Sequence, residues 1–372
     1  MRILLLSAYD AQSHVYWRKG LVEHLPDYDW TVLSLPGRYF SWRMRGNSLS
    51  WAFGEREVLT RPYDLVIATS MTDLSALRGF IPSLAQTPAL VYFHENQFAY
   101  PVSGKEFKSV EPCILNLYTA LAADQCLFNS KYNRRTFLEG AEVLLKKLPD
   151  YVPEQITQHL EARASVLPVP LQNDSYLPHQ PEEKSFHIVW NHRWEFDKNP
   201  QLLLDAITEL MKKTNRFRLH VVGQQFRETP PQFALLEKLL EQYPGCKGAW
   251  GYMESRHAYQ ALLQTADVVL STADHDYQGI AVLEGAAAGA YPVVPDRLAY
   301  RELFPAECHY AESDQASALA NKLYELIERK RSQKQTLPQI DVGYLSWAQL
   351  TDKYRQVIES TAREGGIKSD CD

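Results

Sequence analysis

Short hydrophobic runs alternate along the chain with longer stretches in which hydrophobic positions recur at helical spacing. The short runs predict buried β-strands, because they are rich in β-branched and aromatic residues and are bounded by turn residues. The first series comprises Ile3–Ser7, Trp30–Ser34, Leu65–Thr69, Ala89–Phe93, Gln125–Asn129 and Ser165–Pro168, and the second comprises Phe186–Trp190, Arg218–Val222, Gly248–Tyr252, Asp267–Ser271 and Tyr291–Val294. Strands that alternate with helices indicate parallel sheets built from βαβ units. The pattern therefore predicts an α/β protein with two doubly wound domains.

The length of the chain supports the same division, since 372 residues exceed what one hydrophobic core usually holds. A Pro-rich polar stretch at 178–184 lies between the two series and has the composition of a linker. We therefore expect an N-terminal Rossmann-like domain over residues 1–178 and a C-terminal one over residues 179–345. Residues 346–372 are expected to form a last helix, which the periodicity up to Ala362 predicts, and a short tail.

Charge and composition narrow the class of protein. The formal net charge of −6 argues against nucleic-acid binding through overall charge, so any basic surface must be local. No run approaches the roughly 18 apolar residues that span a bilayer, and the N-terminal apolar run is too short for a signal peptide. We therefore expect a cytoplasmic protein without a transmembrane anchor. A reducing compartment also fits the cysteines, which have no paired metal spacing: Cys113, Cys126, Cys246, Cys308 and Cys371.

Two carboxylates, Asp276 and Glu284, lie eight residues apart around a glycine that opens a small-residue helix. The strand Asp267–Ser271 precedes them, and in open α/β sheets ligands bind where loops leave the carboxyl ends of strands. The pair could therefore bind two separate hydroxyl pairs of one polar ligand, with Gly279 and Ile280 between them at the start of the helix. An equally open alternative is an aspartate that caps the helix and a buried glutamate with a local partner.

The loop after the first strand of the second series carries two cations, Arg193 and Lys198. A helix should follow, with Asn199 as its N-cap and Pro200 as its first residue. An arginine offers two parallel donors to phosphate oxygens and a lysine offers a point charge. Both would stabilise the charge that gathers on a diphosphate leaving group, at about 1.5–3 kcal/mol per charge-assisted bond. The alternative is a pair of solvated loop cations.

Glycine turns follow two further strands of the second series, at Gly223 and at Gly251, which Tyr252 follows. Glycine lets the backbone approach a ligand closely. Such turns occur in many α/β proteins, so they indicate a ligand-binding loop only weakly.

Polar residues follow the fourth strand of the first series directly: His94, Glu95, Asn96 and Gln97. Consecutive polar groups after a buried strand favour a binding site, although an isolated histidine is more often structural. The loop after the first strand adds Ser13 and His14. These side chains are candidates for a binding site, and the family resemblance given below implies that His94 takes part in catalysis and that Ser13, His14, Glu95, Asn96 and Gln97 bind the acceptor.

The segment from 38 to 61 interleaves aromatic side chains with five arginines and two glutamates, a net charge of +3. Cations between aromatic rings suit phosphate contacts and stacking on unpaired bases. Arg38, Trp42, Arg43 and Arg45 are the candidates for such contacts, and the family resemblance given below implies that they bind the acceptor. The alternative is an amphipathic helix whose rings form core and whose arginines are solvated. A smaller basic cluster that could extend this surface comprises Lys131, Arg134 and Arg135.

Several of these phrases occur together in one family. They are Tyr92–Gln97, Trp190–Glu195, Ser271–Ala273 and the pair Asp276 and Glu284. In these phrases the chain resembles a narrow group of GT4-like GT-B glycosyltransferases, the tRNA-queuosine α-mannosyltransferases, and the similarity runs to about residue 305. The resemblance implies a GT-B fold, in which two Rossmann-like domains face a central cleft and the C-terminal helix packs back toward the N-terminal domain.

The resemblance also implies a reaction, the transfer of mannose from GDP-mannose to queuosine in the anticodon of tRNA-Asp, with retention of anomeric configuration. Carried over by position, Glu284 would bind the ribose hydroxyls and Asp276 the mannose hydroxyls. Arg193 and Lys198 would bind the diphosphate. No metal and no cofactor are expected, because GT-B enzymes use cationic side chains and helix N-termini in their place.

Further positions carry over with less support from the residues themselves. His94 would lie near the donor sugar, and the loops at Gly223 and Tyr252 would lie around the nucleotide base. The chain departs from the family pattern at two places. The loop 9–14 lacks the glycines often found there, which puts close backbone contact with acceptor or diphosphate in doubt, and Phe196 replaces an expected polar residue.

Two other functions stay open at this point. A glycosyltransferase of the same fold could use a lipid-linked or envelope saccharide as acceptor, because the 38–61 segment also suits a membrane-facing helix. A GT-B-shaped protein could instead bind a nucleotide without turnover. Side chains alone identify neither the base nor the hexose, and the oligomeric state is left open.

Overall fold

The computed structural model describes residues 1–100, 109–333 and 336–367, and the chain divides into two compact units. Unit 1 comprises Met1–Pro170 and the C-terminal segment that starts at Trp347, whereas unit 2 comprises Leu171–Ser346. The dividing point therefore lies upstream of the Pro-rich stretch. That stretch belongs to unit 2 and is bonded within it, since the Gln180 N–H donates to the Gln264 carbonyl at 2.8 Å.

Unit 1 contains a six-stranded parallel sheet with the order β2-β1-β3-β4-β5-β6. Its strands are β1 (Arg2–Asp10), β2 (Asp29–Pro36), β3 (Leu65–Thr69), β4 (Ala89–Phe93), β5 (Gln125–Phe128) and β6 (Ala164–Val166). The helices are α1 (Gln12–His24), α2 (Phe40–Gly54), α3 (Arg56–Leu59), α4 (Leu74–Phe80), α5 (Glu111–Leu121), α6 (Lys131–Leu145), α7 (Ile156–Ala162) and, at the C-terminal end, α14 (Trp347–Ile367).

Unit 2 contains a second six-stranded parallel sheet with the order β12-β11-β10-β7-β8-β9. Its strands are β7 (His187–Trp190), β8 (Arg218–Val222), β9 (Lys247–Gly251), β10 (Val268–Leu270), β11 (Tyr291–Pro295) and β12 (His309–Tyr310). The helices are α8 (Pro200–Met211), α9 (Gln232–Glu241), α10 (Arg256–Thr265), α11 (Ile280–Ala287), α12 (Tyr300–Leu303) and α13 (Gln315–Gln333).

The predicted α/β class with two parallel sheets is confirmed, and every predicted strand has a counterpart. The central strands β3, β4, β7 and β10 are buried at each residue, whereas the edge strands β2, β6 and β9 are mostly half-buried. This is the pattern that parallel sheets show when helices cover both faces. The sequence analysis did not predict β12, which is two residues long and pairs with the end of β11.

The C-terminal helix α14 packs against α1 in unit 1. The ring of Trp347 is fully buried against Gly20 of α1, where an added Cβ would come within 2.2 Å of the ring. Further along α14, the Tyr354 hydroxyl accepts from the Trp17 indole at 3.0 Å and donates to the Pro168 carbonyl at 3.0 Å. The tail that was predicted to follow lies outside the described residues from 368 onward. Across the described residues, no helix combines the length and the apolar character that crossing a bilayer requires.

Candidate functional site

The loop after β7 leads into α8 as the sequence predicts. Asn199 adopts the left-handed backbone region at φ 48°, and its side chain accepts from the Leu202 N–H at 2.9 Å. Pro200 is the first helical residue. These contacts fix the start of the helix and, with it, the position of the preceding residue, Lys198.

Lys198 is a buried cation, and the alternative of a solvated loop lysine does not apply to it. Its ammonium donates to the His275 carbonyl at 2.6 Å and lies 3.2 Å from Asp197 Oδ2 and 3.6 Å from Asp276 Oδ2. Only 8% of the side chain is exposed. A single ammonium therefore links the loop after β7 to the loop after β10, at the carboxyl edge of the sheet.

Asp276 lies beside the predicted cation Lys198, and it also makes the helix-capping contact that was the alternative to ligand binding. Its Oδ1 accepts from the Gly279 N–H at 2.9 Å, and its Oδ2 accepts from the Tyr300 hydroxyl at 3.1 Å. Burial raises the pKa of Asp276, but Lys198 and the other nearby donors outweigh it and hold the pKa below 3.8. The carboxylate is thus ionised and precisely oriented.

Gly279 is required where it stands, immediately before α11. Its φ of +73° is strained for other residues, and an added Cβ would lie 2.6 Å from the ring of Tyr300. Ile280 follows as the first residue of α11 and is half-buried. The first-turn N–H groups of α11 open toward the same edge of the sheet, where they have no partners within the helix.

Two imidazoles surround the Lys198–Asp276 pair. Burial, reinforced by the positive charge of Lys198, lowers the pKa values of His192 and His275 to about 4 each. Both rings are therefore neutral at neutral pH. The Nε2 atom of His192 is buried without a hydrogen-bond partner, so a polar group beside Lys198 is available to a ligand.

Arg193 is the more exposed of the two predicted phosphate ligands. Its guanidinium pairs with Glu195 at 2.5 Å and lies 3.9 Å from Asp197, with 43% of the side chain exposed. Lys198 approaches the same Asp197 carboxylate. The structure therefore brings both predicted cations together around one carboxylate.

Glu284 lies on α11, buried and held by two partners that the sequence analysis did not identify. Its Oε1 accepts from Arg256 at 3.0 Å and its Oε2 from the Tyr259 hydroxyl at 3.0 Å. Arg256 also pairs with Asp174 at 3.0 Å, and Tyr259 accepts from the Asn191 amide at 2.8 Å. Burial raises the pKa of Glu284, while Arg256 opposes that rise. The alternative of a local partner for this glutamate is thus realised as well.

The glycine turns at Gly223 and Gly251 also have a role within the protein's own backbone. Gly223 has φ +150°, and an added Cβ would come within 1.9 Å of the His192 carbonyl, so this glycine is needed by the protein's own backbone. Gly251 accepts from the Gly223 N–H at 3.1 Å. Tyr252 is half-exposed, with 55% of its surface accessible. Contact of Gly223 and Tyr252 with a nucleotide base stays a prediction.

At the carboxyl edge of the unit 1 sheet, His94 lies in a stack of rings. It stacks on His14 with ring centroids 4.2 Å apart and meets the edge of Trp17 at 5.0 Å. Burial, together with the nearby His14, holds the pKa of His94 well below 6.5, so the ring is neutral. Its Nε2 atom is buried without a hydrogen-bond partner.

His14 and Glu95 form the charged part of this cluster. His14 Nε2 lies 3.0 Å from Glu95 Oε2, and the Ser70 hydroxyl donates to Glu95 Oε1 at 3.0 Å. Burial alone would lower the pKa of His14, but the Glu95 carboxylate outweighs it and raises the pKa above 6.5. Ser13 is exposed beside this pair in sequence.

Asn96 and Gln97 are held within unit 1. The Asn96 amide donates to Asn133 and Thr136, and its carbonyl oxygen accepts from the Phe98 N–H at 3.0 Å. A direct contact of the fully buried Asn96 with an acceptor would break these bonds. Gln97 donates its backbone N–H to Asn116 at 2.8 Å. The acceptor-binding role of both residues stays a prediction.

The basic and aromatic segment forms α2 and its flanks, and its rings divide between core and surface. Trp51 is buried in the core, whereas Trp42 is 52% exposed. Arg38 is exposed, Arg43 lies 3.4 Å from the Pro36 carbonyl, and Arg45 pairs with Asp73 and Glu111. The alternative that placed all the rings in the core is therefore wrong.

Metal-binding geometry is not found in the part of the chain that the structure describes, where no group of three or more His, Cys, Asp and Glu side chains is arranged to hold an ion. Around Lys198 the charged side chains instead pair with one another, since its ammonium lies 3.2 Å from Asp197 and 3.6 Å from Asp276. Metal independence of any reaction stays a prediction.

Comparison with known proteins connects these sites to a family. Residues 2–171 match the family described as tRNA-queuosine alpha-mannosyltransferase N-terminal, and residues 177–338 match glycosyl transferases group 1. A tRNA-queuosine alpha-mannosyltransferase from Drosophila melanogaster is 33% identical over 341 residues, covering 88% of each chain. A GDP-mannose-dependent alpha-(1-6)-phosphatidylinositol dimannoside mannosyltransferase from Mycobacterium tuberculosis is 25% identical over 155 residues, 42% of this chain and 39% of that protein.

Among solved structures, HepE from Anabaena in complex with UDP matches with a TM-score of 0.64 at 14% identity, and the match covers both chains fully. At that identity the likeness shows the fold alone, which is GT-B and confirms the predicted class. The Drosophila relative is similar enough, over enough of both chains, to show more than the fold. The N-terminal match points to the same group, and this chain accordingly belongs to the tRNA-queuosine α-mannosyltransferase family of glycosyltransferases.

Proposed function

We propose that the protein transfers mannose from GDP-mannose to queuosine in the anticodon of tRNA-Asp, in the cytoplasm, with retention of configuration and without a metal ion. The observation that carries the proposal is the buried Lys198–Asp276 pair at the carboxyl edge of the unit 2 sheet, in a chain of this family. The named activity of the Drosophila relative supports queuosine as acceptor, and that of the mycobacterial relative supports GDP-mannose as donor.

The diphosphate of the donor is assigned to Lys198, Arg193 and the N-terminus of α11. Both cations already pair with carboxylates in the structure, so a diphosphate would bind as a further anionic partner of each cation. Lys198 would keep its contacts with Asp197 and Asp276, because losing them would leave two buried carboxylates without a counter-ion. The N–H groups in the first turn of α11 supply further donors to the phosphate oxygens.

Asp276 and Glu284 are assigned to the two sugars of the donor. Asp276 keeps accepting capacity beyond its bonds to Gly279 and Tyr300, because a carboxylate has about four lone-pair sites. We assign that capacity to hydroxyls of the mannose. Glu284, held by Arg256 and Tyr259, is assigned to the ribose hydroxyls by the same reasoning.

The chemical step that this assignment favours needs no enzymic nucleophile. The bond between the anomeric carbon and the phosphate oxygen breaks while the acceptor hydroxyl oxygen bonds to the same face of that carbon. The hydroxyl proton passes to the departing phosphate oxygen, which yields GDP and the retained glycoside. Lys198 and Arg193 stabilise the negative charge that develops on the diphosphate.

The acceptor is assigned to the carboxyl edge of the unit 1 sheet, around His14, Glu95 and Ser13. Carboxylate and imidazole groups suit the recognition of a vicinal diol through hydrogen bonds. The role of His94 near the donor sugar stays a prediction, which its unpartnered Nε2 atom supports.

The test is to incubate the protein with queuosine-containing tRNA and a panel of sugar nucleotides, and then to measure nucleoside masses. We expect queuosine to gain one hexosyl residue with GDP-mannose and no gain on tRNA that lacks queuosine. Asp276→Asn should reduce transfer by about 100-fold, on the scale of one lost transition-state contact. Asp296→Asn, at an exposed aspartate paired with Arg301, is the matched control. No mass change with any donor would overturn the proposal.

A further inference from the structure

The exposed side of α2 carries an apolar stripe that the fold leaves uncovered. Trp42, Leu49 and Phe53 follow one another at helical spacing and lie on one side of the helix. Their exposed fractions are 52%, 47% and 72%. The opposite side of the same helix belongs to the core, with Trp51 and Met44 buried. Stabilisation of unit 1 therefore does not account for the exposed rings.

Trp42 is held in a defined orientation. An added Cβ at Gly46 would come within 2.5 Å of the indole, so the ring lies against the helix at that glycine. One side of the indole is thus packed, and about half of the residue remains accessible. A fixed ring with an open face is the geometry on which a planar base stacks.

Three exposed arginines in and around α2 carry positive charge that no carboxylate of the described residues neutralises. Arg38, Arg56 and Arg61 are exposed and form no ion pair with any residue in the described ranges. Arg38 instead lies over the ring of Tyr39, 5.5 Å from its centroid, and Tyr39 is 70% exposed. These cations remain available to an anionic partner, in a chain whose net charge is −6.

The N-terminal half of α2 lies beside the polar cluster at the carboxyl edge of the unit 1 sheet. Phe40, the first residue of α2, meets Tyr9 near the end of β1 edge-on at 5.8 Å. Arg45 reaches Asp73, in the turn after β3, at 3.4 Å. Ser70, which donates to Glu95, lies in that same turn. A ligand at Glu95 could therefore extend outward along α2.

We propose that the exposed side of α2, from Tyr39 to Phe53, binds the unpaired bases of the RNA acceptor by stacking, while Arg38, Arg56 and Arg61 bind its phosphates. The inference rests on the proposed function for the chemical class of the acceptor. It adds the residues that hold the RNA beyond the reacting nucleoside. Single-stranded loops are the part of an RNA whose bases stack on aromatic side chains.

The charge pattern favours RNA over a lipid surface. A membrane-facing helix buries a continuous apolar face in the acyl boundary. On α2, Arg45 lies between Trp42 and Leu49 and is paired with Glu111, whose side chain is 57% exposed. Insertion into lipid would bury this ion pair, whereas a loop of stacked bases can leave it in water.

The first test measures binding of a fluorescent anticodon stem-loop RNA, without any donor, to the full chain. Trp42→Ala and Phe53→Ala should each weaken binding by about 5- to 150-fold, as expected for the loss of one base–aromatic stack. Tyr151→Asn is the control, because Tyr151 is 97% exposed in unit 1 and its left-handed backbone suits asparagine. Thermal unfolding should show unchanged stability for Phe53→Ala.

The second test uses the salt dependence of the same binding. Arg56→Gln should reduce the slope of log affinity against log salt by about 0.7, the value for one phosphate contact on a single strand. Arg45→Gln should change the slope less, since Arg45 is already paired with Asp73 and Glu111.

The outcomes separate this inference from the proposed function. If wild type mannosylates queuosine but Trp42→Ala and Phe53→Ala bind RNA as wild type does, the surface assignment is overturned and the function stands. If wild type binds the RNA through these residues without transferring mannose, the surface stands and the function is overturned. Flotation of wild type with anionic phosphatidylserine vesicles, lost in Phe53→Ala, together with absent RNA binding, would overturn the surface in favour of a lipid.

Discussion

The two sheets gather different chemistry at the carboxyl ends of their strands. In unit 2 the edge is ionic, with Lys198 between Asp197 and Asp276 and with Arg256 against Glu284. In unit 1 the edge contains a stack of rings, in which Glu95 is the partner of the His14 imidazole, and beside it Asp10 at the end of β1 pairs with Arg18 at 2.6 Å.

This difference matches the ligands that we assign to each unit. A diphosphate carries a dense negative charge, and the ionic edge offers it two cations, Lys198 and Arg193. A diol is an uncharged hydrogen-bonding group, and it suits imidazole nitrogens and a carboxylate that can donate and accept hydrogen bonds. The variants below therefore change a charged residue at the carboxyl edge of one sheet or the other.

The largest effect is expected for Lys198→Met, which removes the cation from the ionic edge. Transfer should fall by about 100- to 1,000-fold, because the developing diphosphate charge loses its buried partner. The free energy of unfolding should fall by about 3 kcal/mol, because two buried carboxylates lose their counter-ion. Turnover and denaturant unfolding measure the two effects.

The control for this change is Lys212→Met, at an exposed lysine that pairs with Glu209. It should leave both quantities unchanged, since exposed pairs contribute at most about 1 kcal/mol. Wild-type turnover in Lys198→Met would contradict the ionic assignment of unit 2.

A smaller effect is expected for Arg256→Gln, which leaves Glu284 with Tyr259 alone. GDP should bind about tenfold more weakly, the lower end for a charge-assisted bond, because Arg256 is 43% exposed and solvent screens it. Calorimetric titration with GDP measures the change. Arg301→Gln, at a surface arginine, should bind GDP as wild type does, and equal affinities of all three proteins would remove Arg256 from the donor site.

The smallest effect is expected for His14→Gln, and it should depend on pH. Because Glu95 raises the folded-state pKa of His14 above 6.5, the contribution of the pair to stability is complete below pH 6.5 and is lost as pH rises through that folded pKa. The loss of stability in the variant should therefore be larger by about 1 kcal/mol in mild acid than in base, on top of a pH-independent cost for the lost ring stack. Unfolding in urea across this range checks the prediction.

The matched variant for this pair is Glu95→Gln, which should abolish most of the pH dependence while keeping the ring stack. A stability difference between wild type and His14→Gln that does not vary with pH would show that the unit 1 edge is not charged in the way described.

Much of the fold follows from local pattern, and the exceptions have physical causes. The buried strands and the start of α8 at Asn199 were predictable because each depends on neighbouring residues: a short hydrophobic run for a strand, and the Asn199–Pro200 pair for the start of the helix. The strand β12 was not, since two residues carry no periodicity and pair only at the edge of β11. The exposed and buried rings of α2 were indistinguishable in sequence, because both sides of that helix carry aromatic residues.

In the candidate site, only residues that follow a recognisable spacing along the sequence were predictable. The eight-residue interval located Asp276 and Glu284, and the loop after β7 located Lys198. The partners that hold Glu284, which are Arg256 and Tyr259, come from a different helix, and no spacing rule connects them. Burial of Lys198 likewise depends on a loop from another strand.

The burial of Trp347 against Gly20 has a consequence for how the protein is made. The ribosome synthesises all of unit 2 before it synthesises α14, the last helix of unit 1. Until α14 has been synthesised, the positions in unit 1 that Trp347 and Tyr354 occupy stay unfilled. Unit 1 can therefore be completed only after all of unit 2 has been synthesised, and a stop codon just before Trp347 would leave the contacts of Trp347 and Tyr354 unmade.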